Sequence, residues 1–232
     1  MRIAIFGANG PTGRLLTGQA LDAGHHVVAG TRQPAAFPLT HERLEIEAVD
    51  VHDAAAVAAT VDGCDAVLSS LGVPFGRQPI TVYSGGVVNI ISAMHEHELK
   101  RLVVVSSSAT YPHHHADGGF LLNRVLQPIV TRTIGRTTYA DMRRMEELVR
   151  ASDLAWTIVR PSGLFDLDQV TDYRLYEEES PGVFTARIDL AAAMLAQIGT
   201  DAYAGKAVAV TTSENTPTLF QMMRNEAGSK KA

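Results

Sequence analysis

The sequence predicts a single-domain, doubly wound α/β fold, with a mostly parallel sheet and helices on both faces. Short runs rich in valine and isoleucine alternate with longer helical stretches along the chain. These runs are continuously apolar, which is typical of strands buried on both faces of a parallel sheet. A length of 232 residues suits one domain of this class. We therefore expect right-handed crossovers and a ligand site at the carboxyl ends of the strands.

Apolar runs and capping signals predict the individual elements. The predicted strands are 3–6, 27–30, 44–49, 66–68, 102–105, 156–159 and 207–211. The predicted helices are 12–23, 54–61, 80–98, a helical hairpin within 119–152, and 189–198. Asp53 is expected to cap the second helix, and Gly24 to end the first. We place the dinucleotide domain at 1–212, with a small substrate-site region at 109–138 and 160–187, and a tail at 213–232 that frays at its end.

Composition and charge disfavour several classes of function. The net charge is −5 at pH 7, whereas nucleic-acid surfaces normally carry a basic excess. No apolar run approaches the roughly 18 residues that cross a bilayer, and the N-terminus lacks the apolar core of a signal peptide. The single cysteine, Cys64, excludes an internal disulfide and fits a reducing compartment. We therefore expect a cytoplasmic monomer or homodimer that acts on a small molecule and binds neither nucleic acid nor membrane.

The strongest chemical signal is a glycine-rich segment between the first predicted strand and the first predicted helix. Its predicted cofactor-binding residues are Gly7, Asn9, Gly10, Pro11, Thr12 and Gly13. Gly7 permits a sharp turn, Gly10 lets a diphosphate approach the backbone, and Gly13 lets the helix pack closely on the sheet. The helix N-terminus offers free N–H groups and a positive dipole end to the phosphates. The alternative is a glycine-rich turn without a ligand, which the strand–loop–helix context disfavours.

The end of the second predicted strand indicates which dinucleotide is bound. An acidic residue there would bind a ribose 2′-hydroxyl, but this sequence has Gly30-Thr31-Arg32 instead. The planar guanidinium of Arg32 suits a 2′-phosphate and can stack on adenine, with assistance from Thr31. The alternative is a solvated surface arginine. We therefore predict NADP(H) in preference to NAD(H).

Further cofactor contacts are expected where the other strands end. Asp50 and Val51 follow the third predicted strand and are expected to flank the adenine. Leu71 and Gly72 follow the fourth strand and are expected to pass beneath the adenosine ribose. The residues expected to border the nicotinamide, beyond the fifth and sixth strands, are Ser106, Pro161, Ser162 and Gly163. Contacts of the last three need only their backbone.

Several ordered segments carry a family resemblance. They are 3–13, 65–67, the helix at 84–94, Val103 to Ala109, Thr157-Ile158-Val159-Arg160-Pro161-Ser162-Gly163 and Arg187-Ile188-Asp189-Leu190-Ala191. Together they resemble the atypical short-chain dehydrogenases, especially the biliverdin-IXβ reductase (flavin reductase) and NmrA-like proteins. The resemblance covers about residues 1–211 and implies a single Rossmann domain that binds NADPH. Some members of this group reduce flavins, quinones or tetrapyrroles, and others only sense or hold the cofactor.

Three residues are candidates for catalysis through this resemblance. Ser108 aligns with the serine that extended short-chain enzymes use to hydrogen-bond their substrates. Tyr139 and Arg143 have the spacing of the Tyr-x3-Lys pair, and residues four apart share one helix face. Arginine stands in place of the lysine, which keeps the charge but changes the reach and the donor geometry. The competing interpretations are a structural hydroxyl for Ser108 and a half-packed helix tyrosine for Tyr139.

Residues 109–138 contain no strong motif. His113-His114-His115 could suggest a metal, but adjacent side chains diverge and spaced ligands are lacking. We therefore predict no metal and a solvated loop. The apolar residues between 120 and 130 predict an amphipathic helix that walls the substrate site or packs on a partner subunit.

These features together predict an NADPH-dependent reductase that passes hydride to a flat conjugated acceptor, such as a flavin or a quinone. The short stretch from 160 to 205 leaves an open, permissive site. The alternative is a non-catalytic NADP(H)-binding redox sensor of the NmrA-like type, which the missing Tyr-Lys pair favours. A sugar-nucleotide epimerase relative is disfavoured because the C-terminal portion is too short for its substrate subdomain.

Overall fold

A central eight-stranded sheet organises the chain, of which this computed structural model describes residues 1–218 and 221. Its strands run in the order β3-β2-β1-β4-β5-β6-β10-β8. They are β1 (Arg2–Phe6), β2 (His26–Thr31), β3 (Leu44–Ala48), β4 (Ala66–Ser69), β5 (Arg101–Val105), β6 (Ala155–Pro161), β8 (Arg174–Glu177) and β10 (Lys206–Thr211). All pairings are parallel except that of β8 with β10. Two short strands, β7 (Gly163–Phe165) and β9 (Phe184–Ala186), pair separately.

Helices cover both faces of the sheet. They are α1 (Pro11–Asp22), α2 (Ala54–Val61), α3 (Val82–Glu96), α4 (Gly119–Leu121), a π-helical turn (Leu122–Leu126), α5 (Gln127–Arg132), α6 (Arg136–Ala151) and α7 (Arg187–Ala196). One buried cluster joins the sheet to α2, α3 and α6, and a second joins it to α1 and α7. The doubly wound α/β fold class is therefore confirmed. In the described part of the chain, no helix is both long and apolar enough to cross a membrane.

The structure contains three strands that the sequence pattern does not predict. The antiparallel strand β8 has only four residues, with polar ends that are exposed, so it lacks a continuous apolar run. The paired strands β7 and β9 have three residues each. All seven predicted strands form. Six of them are largely buried, as their apolar runs predict. The third, β3, lies at the edge of the sheet with residues 45–48 exposed, so its interpretation as a strand buried on both faces is wrong. Of the predicted tail, residues 219, 220 and 222–232 lie outside the described part, and the division at 212 stays a prediction.

Candidate functional site

The loop after β1 forms a cradle of backbone amides. Gly7 has a φ of +77°, a conformation that favours glycine, and its carbonyl accepts from the Gly10 N–H at 3.0 Å. Helix α1 begins at Pro11, and its first internal hydrogen bond runs from Arg14 N to the Gly10 carbonyl at 2.9 Å. The N–H groups of Thr12 and Gly13 precede that bond and have no partner within the helix. They are therefore available to a phosphate.

Three glycines keep this cradle open and close to the sheet. A Cβ at Gly13 would overlap the Gly7 carbonyl, and one at Gly7 would lie 2.7 Å from the carbonyl oxygen of Ser70, just after β4. A Cβ at Gly10 would meet only the Gly7 carbonyl, at 3.3 Å. The Asn9 side-chain oxygen accepts from Arg14 Nε at 3.0 Å, which fixes the outer side of the loop. These features fit the close approach of a diphosphate to the backbone.

The end of β2 presents one buried and one exposed candidate. Thr31 is buried and its Oγ1 accepts from the Gln33 N–H at 3.2 Å, whereas Arg32 is exposed. Within the described residues, the Arg32 side chain makes no hydrogen bond or ion pair. A Cβ at Gly30 would lie 2.8 Å from Val49 Cγ1, so the glycine allows this strand end to pack. Arg32 is thus free to bind an anion.

The turn after β3 is fixed by a histidine that sequence reasoning missed. Asp50 Oδ1 accepts from His52 N at 3.0 Å and lies 3.1 Å from His52 Nδ1, while His52 Nε2 lies 3.1 Å from Thr81 Oγ1. The hydrogen bonds from His52 lower the pKa of Asp50, and the charge of Arg32 adds to this. Val51 is buried, and its carbonyl accepts from Asn89 Nδ2 at 2.8 Å. Asp50 therefore remains a carboxylate close to Arg32.

The loop after β4 is held by helix α3 and, through it, by α6. The half-buried Leu71 and the exposed Gly72 follow Ser70, which contacts Gly7. Val73 N donates to Tyr83 Oη at 3.2 Å, and Tyr83 N donates to Asp141 Oδ2 at 2.9 Å.

The side chain of Asp141 is a positioning group that no sequence motif signalled. It is fully buried on α6 and also accepts from Ser84 Oγ at 2.5 Å, at the N-terminus of α3. Burial raises the pKa of Tyr83 to about 12, so its hydroxyl stays protonated while it accepts from Val73. The carboxylate thus fixes the loop that is predicted to pass beneath the ribose.

The turn after β5 gathers Ser106, Ser108 and Arg143. Ser106 N donates to the Val159 carbonyl at 2.8 Å, and its Oγ lies 3.1 Å from Thr110 Oγ1. Arg143 Nη1 donates to the Thr110 carbonyl at 2.8 Å. Ser108 is buried at 7% exposure and lines a cleft. The structure therefore places Arg143 as a clamp on this turn.

The two residues of the predicted Tyr139–Arg143 pair lie in different environments, since Arg143 contacts the turn after β5 and Tyr139 lies in the core. Tyr139 is only 7% exposed and belongs to the apolar core under α6. Its ring lies 5.7 Å from that of Phe75, in the loop after β4. A catalytic role for either residue stays a prediction.

The loop after β6 is bound through its own backbone. Ser162 N donates to Thr185 Oγ1 at 2.9 Å, and Gly163 N donates to the Val183 carbonyl at 2.9 Å. Ser162 Oγ donates to the Gly182 carbonyl at 3.2 Å. These two N–H groups are therefore occupied, and the predicted contacts of Pro161, Ser162 and Gly163 with a nicotinamide would fall to the carbonyls of this loop.

A cleft of about 390 Å³ opens beside Ser108. Its other lining residues are Tyr111, His113, Arg150, Arg160, Glu178 and Glu179. Arg160 is buried, with Nε 3.0 Å from Glu146 Oε1 and Nη1 2.9 Å from Glu178 Oε2. Burial would lower the pKa of Arg160, but the hydrogen bonds and charge of Glu146 outweigh burial and raise it. The cleft therefore has a permanently charged wall.

Two of the three adjacent histidines also border this cleft region. The rings of His113 and His115 lie 4.2 Å apart, and each has a ring nitrogen 3.2 Å from the Ser180 carbonyl. Residues two apart on an extended segment share one side, so they converge while His114 is exposed. The prediction of a solvated loop is therefore wrong for His115, which is buried at 4% exposure. Burial lowers the pKa of His115, and His113 adds to the lowering. The described residues contain no group of three or more metal-ligating side chains that could hold an ion.

Comparison with solved structures shows that other proteins share this fold. A Rossmann-fold NAD(P)-binding family protein from Shigella flexneri superposes with a TM-score of 0.69 at 23% identity, covering 94% of this chain and 98% of that chain. A short-chain dehydrogenase/reductase from Veillonella parvula, solved in complex with NADP, gives a TM-score of 0.76 at 17% identity, covering 94% and 99%.

Sequence comparison identifies the family. An uncharacterised protein of Mycobacterium tuberculosis is 36% identical over 108 residues, which are 46% of this chain and 12% of that protein. The chain thus spans a small part of this relative's length. The sequence pattern of the NAD(P)H-binding family matches residues 7–201, which include the glycine cradle, the β5 turn and the loop after β6. The chain therefore belongs to the NAD(P)H-binding family.

Proposed function

We propose that the protein is an NADPH-dependent reductase that passes hydride to a flat conjugated acceptor such as a flavin or a quinone. The burial of Tyr139 is the observation that carries this choice. A ketone acceptor needs a positioned proton donor. Tyr139 packs in the apolar core beside Phe75 and does not line the cleft that Ser108 lines. A flavin or quinone can take its proton from water, so it requires no donor from the chain.

The choice of NADPH over NADH rests on the exposed end of β2. Arg32 is exposed and has no charged partner within hydrogen-bonding distance among the described residues, so its guanidinium can face a 2′-phosphate in a planar, bidentate manner. The strand end bears no acidic residue at the position that would bind a 2′-hydroxyl.

The residues of this chain would hold, orient and screen the reactants. The amides at the start of α1 bind the diphosphate, and the loop of Leu71 and Gly72, fixed through Tyr83 and Asp141, supports the ribose. When bound, the nicotinamide would supply a hydride. The β5 turn, clamped by Arg143, presents the Ser108 hydroxyl to the acceptor as a hydrogen-bond donor. Orientation of this kind is the contribution that hydride transfer requires from the protein.

Loss of NADPH absorbance in the presence of FMN, riboflavin, a soluble quinone and a simple ketone tests the proposal. We expect turnover with at least one of the first three, and a Tyr139→Phe variant within about twofold of the wild type, because no proton passes through the phenol. The absence of turnover with every acceptor would contradict the proposal.

The same burial of Tyr139 favours a second function, that of a non-catalytic NADP(H) sensor. A sensor must bind NADP⁺ and NADPH with different affinities, because a ligand shifts an equilibrium only by its differential affinity. Titration of both forms distinguishes the two functions. Turnover with comparable affinities supports the reductase, and no turnover with a tenfold difference or more supports the sensor.

A further inference from the structure

A helical segment runs along the carboxyl edge of the sheet, beside the candidate nicotinamide site. This segment, residues 119–132, comprises α4, the π-helical turn and α5, and we call it the wall segment. Just before it, Asp117 N donates to the Pro181 carbonyl at 3.2 Å, in the loop that also holds the end of β6. Just after it, Thr137 Oγ1 donates to the Gly76 carbonyl at 2.9 Å, in the loop after β4. The wall segment therefore bridges the ends of β6 and β4.

The outward side of the wall segment is apolar. Leu121, Val125 and Ile129 recur every four residues, with exposed fractions of 54%, 37% and 54%, and the adjacent Phe120 is 77% exposed. On the inward side, Val130 packs against the core and the buried Asn123 hydrogen-bonds the backbone of His115. Contiguous apolar patches of this kind mark interaction sites, whereas single exposed apolar residues do not.

Positive charge surrounds this apolar stripe. Residues 118–140 contain three arginines and no aspartate, glutamate or lysine, in a chain whose net charge is −5. Arg124, Arg132 and Arg136 are exposed, as is Arg77 in the neighbouring loop after β4. Within the residues that the structure describes, none of these four guanidinium groups forms an ion pair. The region thus combines exposed apolar side chains with uncompensated positive charge.

We propose that the wall segment binds an anionic lipid surface. Phe120, Leu121, Val125 and Ile129 would enter the headgroup boundary, and the arginines would contact lipid phosphates, as in helices that lie in the plane of a membrane. A second copy of the chain fits less well, because a two-fold axis through the segment would place Arg124 and Arg132 near their equivalents. The sequence predicts no membrane partner because it lacks runs long enough to span a bilayer. A helix that lies on the membrane surface does not need such a run.

This placement also narrows the acceptor, in a step that rests on the proposed function. Because α5 of the wall segment contacts the turn at residues 108–110, and Ser108 of that turn lines the cleft, lipid binding would bring the cleft close to the membrane surface. An acceptor dissolved in the lipid, such as a quinone with an apolar tail, could then enter without crossing water.

Vesicle sedimentation tests the binding, with the full chain and with lipid of stated composition. We expect binding to vesicles of phosphatidylcholine with about 30% phosphatidylglycerol, weaker binding to phosphatidylcholine alone, and loss of binding as salt shortens the Debye length. A double variant, Leu121→Ser with Ile129→Ser, should weaken binding at least tenfold. Arg124→Gln and Arg132→Gln should each weaken it about fivefold, from the usual contribution of one basic residue near an anionic surface.

Matched controls lie elsewhere on the surface. Val88 on α3 is 48% exposed and Arg174 on β8 is exposed, so Val88→Ser and Arg174→Gln should bind vesicles like the wild type. Thermal unfolding of every variant, monitored by circular dichroism, verifies that it folds.

Several outcomes would overturn the proposal. One is that the protein sediments with neither kind of vesicle. Another is that the wall-segment variants and the control variants bind vesicles equally. A third is that the protein is a dimer without lipid and that the Leu121 and Ile129 substitutions dissociate this dimer. Turnover of NADPH with a soluble flavin is measured on the same samples. Turnover without vesicle binding would remove only this proposal, and vesicle binding without turnover would remove only the proposed function.

Discussion

The two ends of the carboxyl edge are built in different ways. At the cofactor end, the cradle of Gly7, Gly10 and Gly13 consists of backbone held mainly by contacts within one short loop, which packs against the backbone of Ser70. At the proposed acceptor end, the cleft beside Ser108 is held by side-chain ion pairs and hydrogen bonds between different elements, such as that of Arg160 on β6 with Glu146 on α6. The first end is a local structure, and the second depends on several distant segments.

This difference explains what each end can do. A cradle made of backbone has little freedom in shape. This suits the diphosphate, which is the same group in every nicotinamide dinucleotide. A cleft made of charged and hydroxyl side chains can vary from one protein to another while the sheet beneath it stays the same. Substitutions at each end test this division between backbone geometry at one end and side-chain networks at the other.

The largest expected effect is at the cofactor end. Gly13→Ala places a methyl group against the Gly7 carbonyl, so the cradle must open, and we expect NADPH affinity to fall by more than about a hundredfold, or the chain not to fold. Gly18→Ala, on the same helix, has open space around its Cβ and should bind normally, with a gain of about 0.5–1 kcal/mol in stability. Calorimetry measures the affinity. Equal affinities for the two variants would show that the cradle is not set by backbone packing.

The largest effect expected at the acceptor end concerns Glu146. Glu146→Gln removes the charge that balances the buried Arg160, and we expect a loss of about 3–5 kcal/mol in the free energy of unfolding. Glu177→Gln breaks only the exposed pair with Lys206, which should cost about 1 kcal/mol or less. Urea unfolding measures both, and similar losses would mean that the network does not hold this end.

A smaller effect is expected from Arg32. Arg32→Ala should weaken NADPH binding about 10- to 100-fold, from the loss of charged hydrogen bonds to the 2′-phosphate. NADH affinity should change by less than about twofold, because that cofactor lacks the phosphate. Fluorescence titration with both dinucleotides, with Arg174→Ala as the control, measures this. A parallel loss for both cofactors would contradict the assignment of Arg32.

The smallest effect is a dependence of stability on pH. Burial lowers the pKa of His115 in the folded chain, while the unfolded chain takes up a proton below about pH 6.5. Stability should therefore be fully present above about pH 6.5 and fall as the pH drops below that value. His115→Gln should reduce this loss by on the order of 1 kcal/mol between about pH 7.5 and pH 5.5. His114→Gln, at an exposed position, should behave like the wild type, and identical pH profiles for all three proteins would contradict the assignment.

Much of the cofactor end could be predicted from the sequence, because its structure is local. The apolar run of β1, the glycines after it and the helix that follows are adjacent in the chain, so their spacing alone indicates a cradle. The role of the residues at the end of β2 could be predicted in the same way, since the residues that would bind a 2′-hydroxyl or a 2′-phosphate occupy a fixed place after the strand.

Side-chain networks could not be predicted to the same extent, whether they hold the loops on the cofactor side or the cleft beside Ser108. His52, Asp141 and Glu146 act through partners up to 58 residues away, and no local pattern encodes those pairings. One signal was present for Glu146, since a charged residue interrupts the apolar stripe of Met142, Met145 and Val149 on α6. Such an interruption indicates a buried partner but does not identify Arg160.

The unusual edge strands of the sheet have a consequence for self-association. An outer strand leaves backbone groups unpaired, and another chain can extend the sheet there, which leads to aggregation. Strand β3 exposes Glu45 and Glu47 at one edge, and β8 carries Arg174 and Glu177 at the other. Charged side chains at both margins oppose the addition of a foreign strand, so the edges of the sheet are protected against extension by another chain.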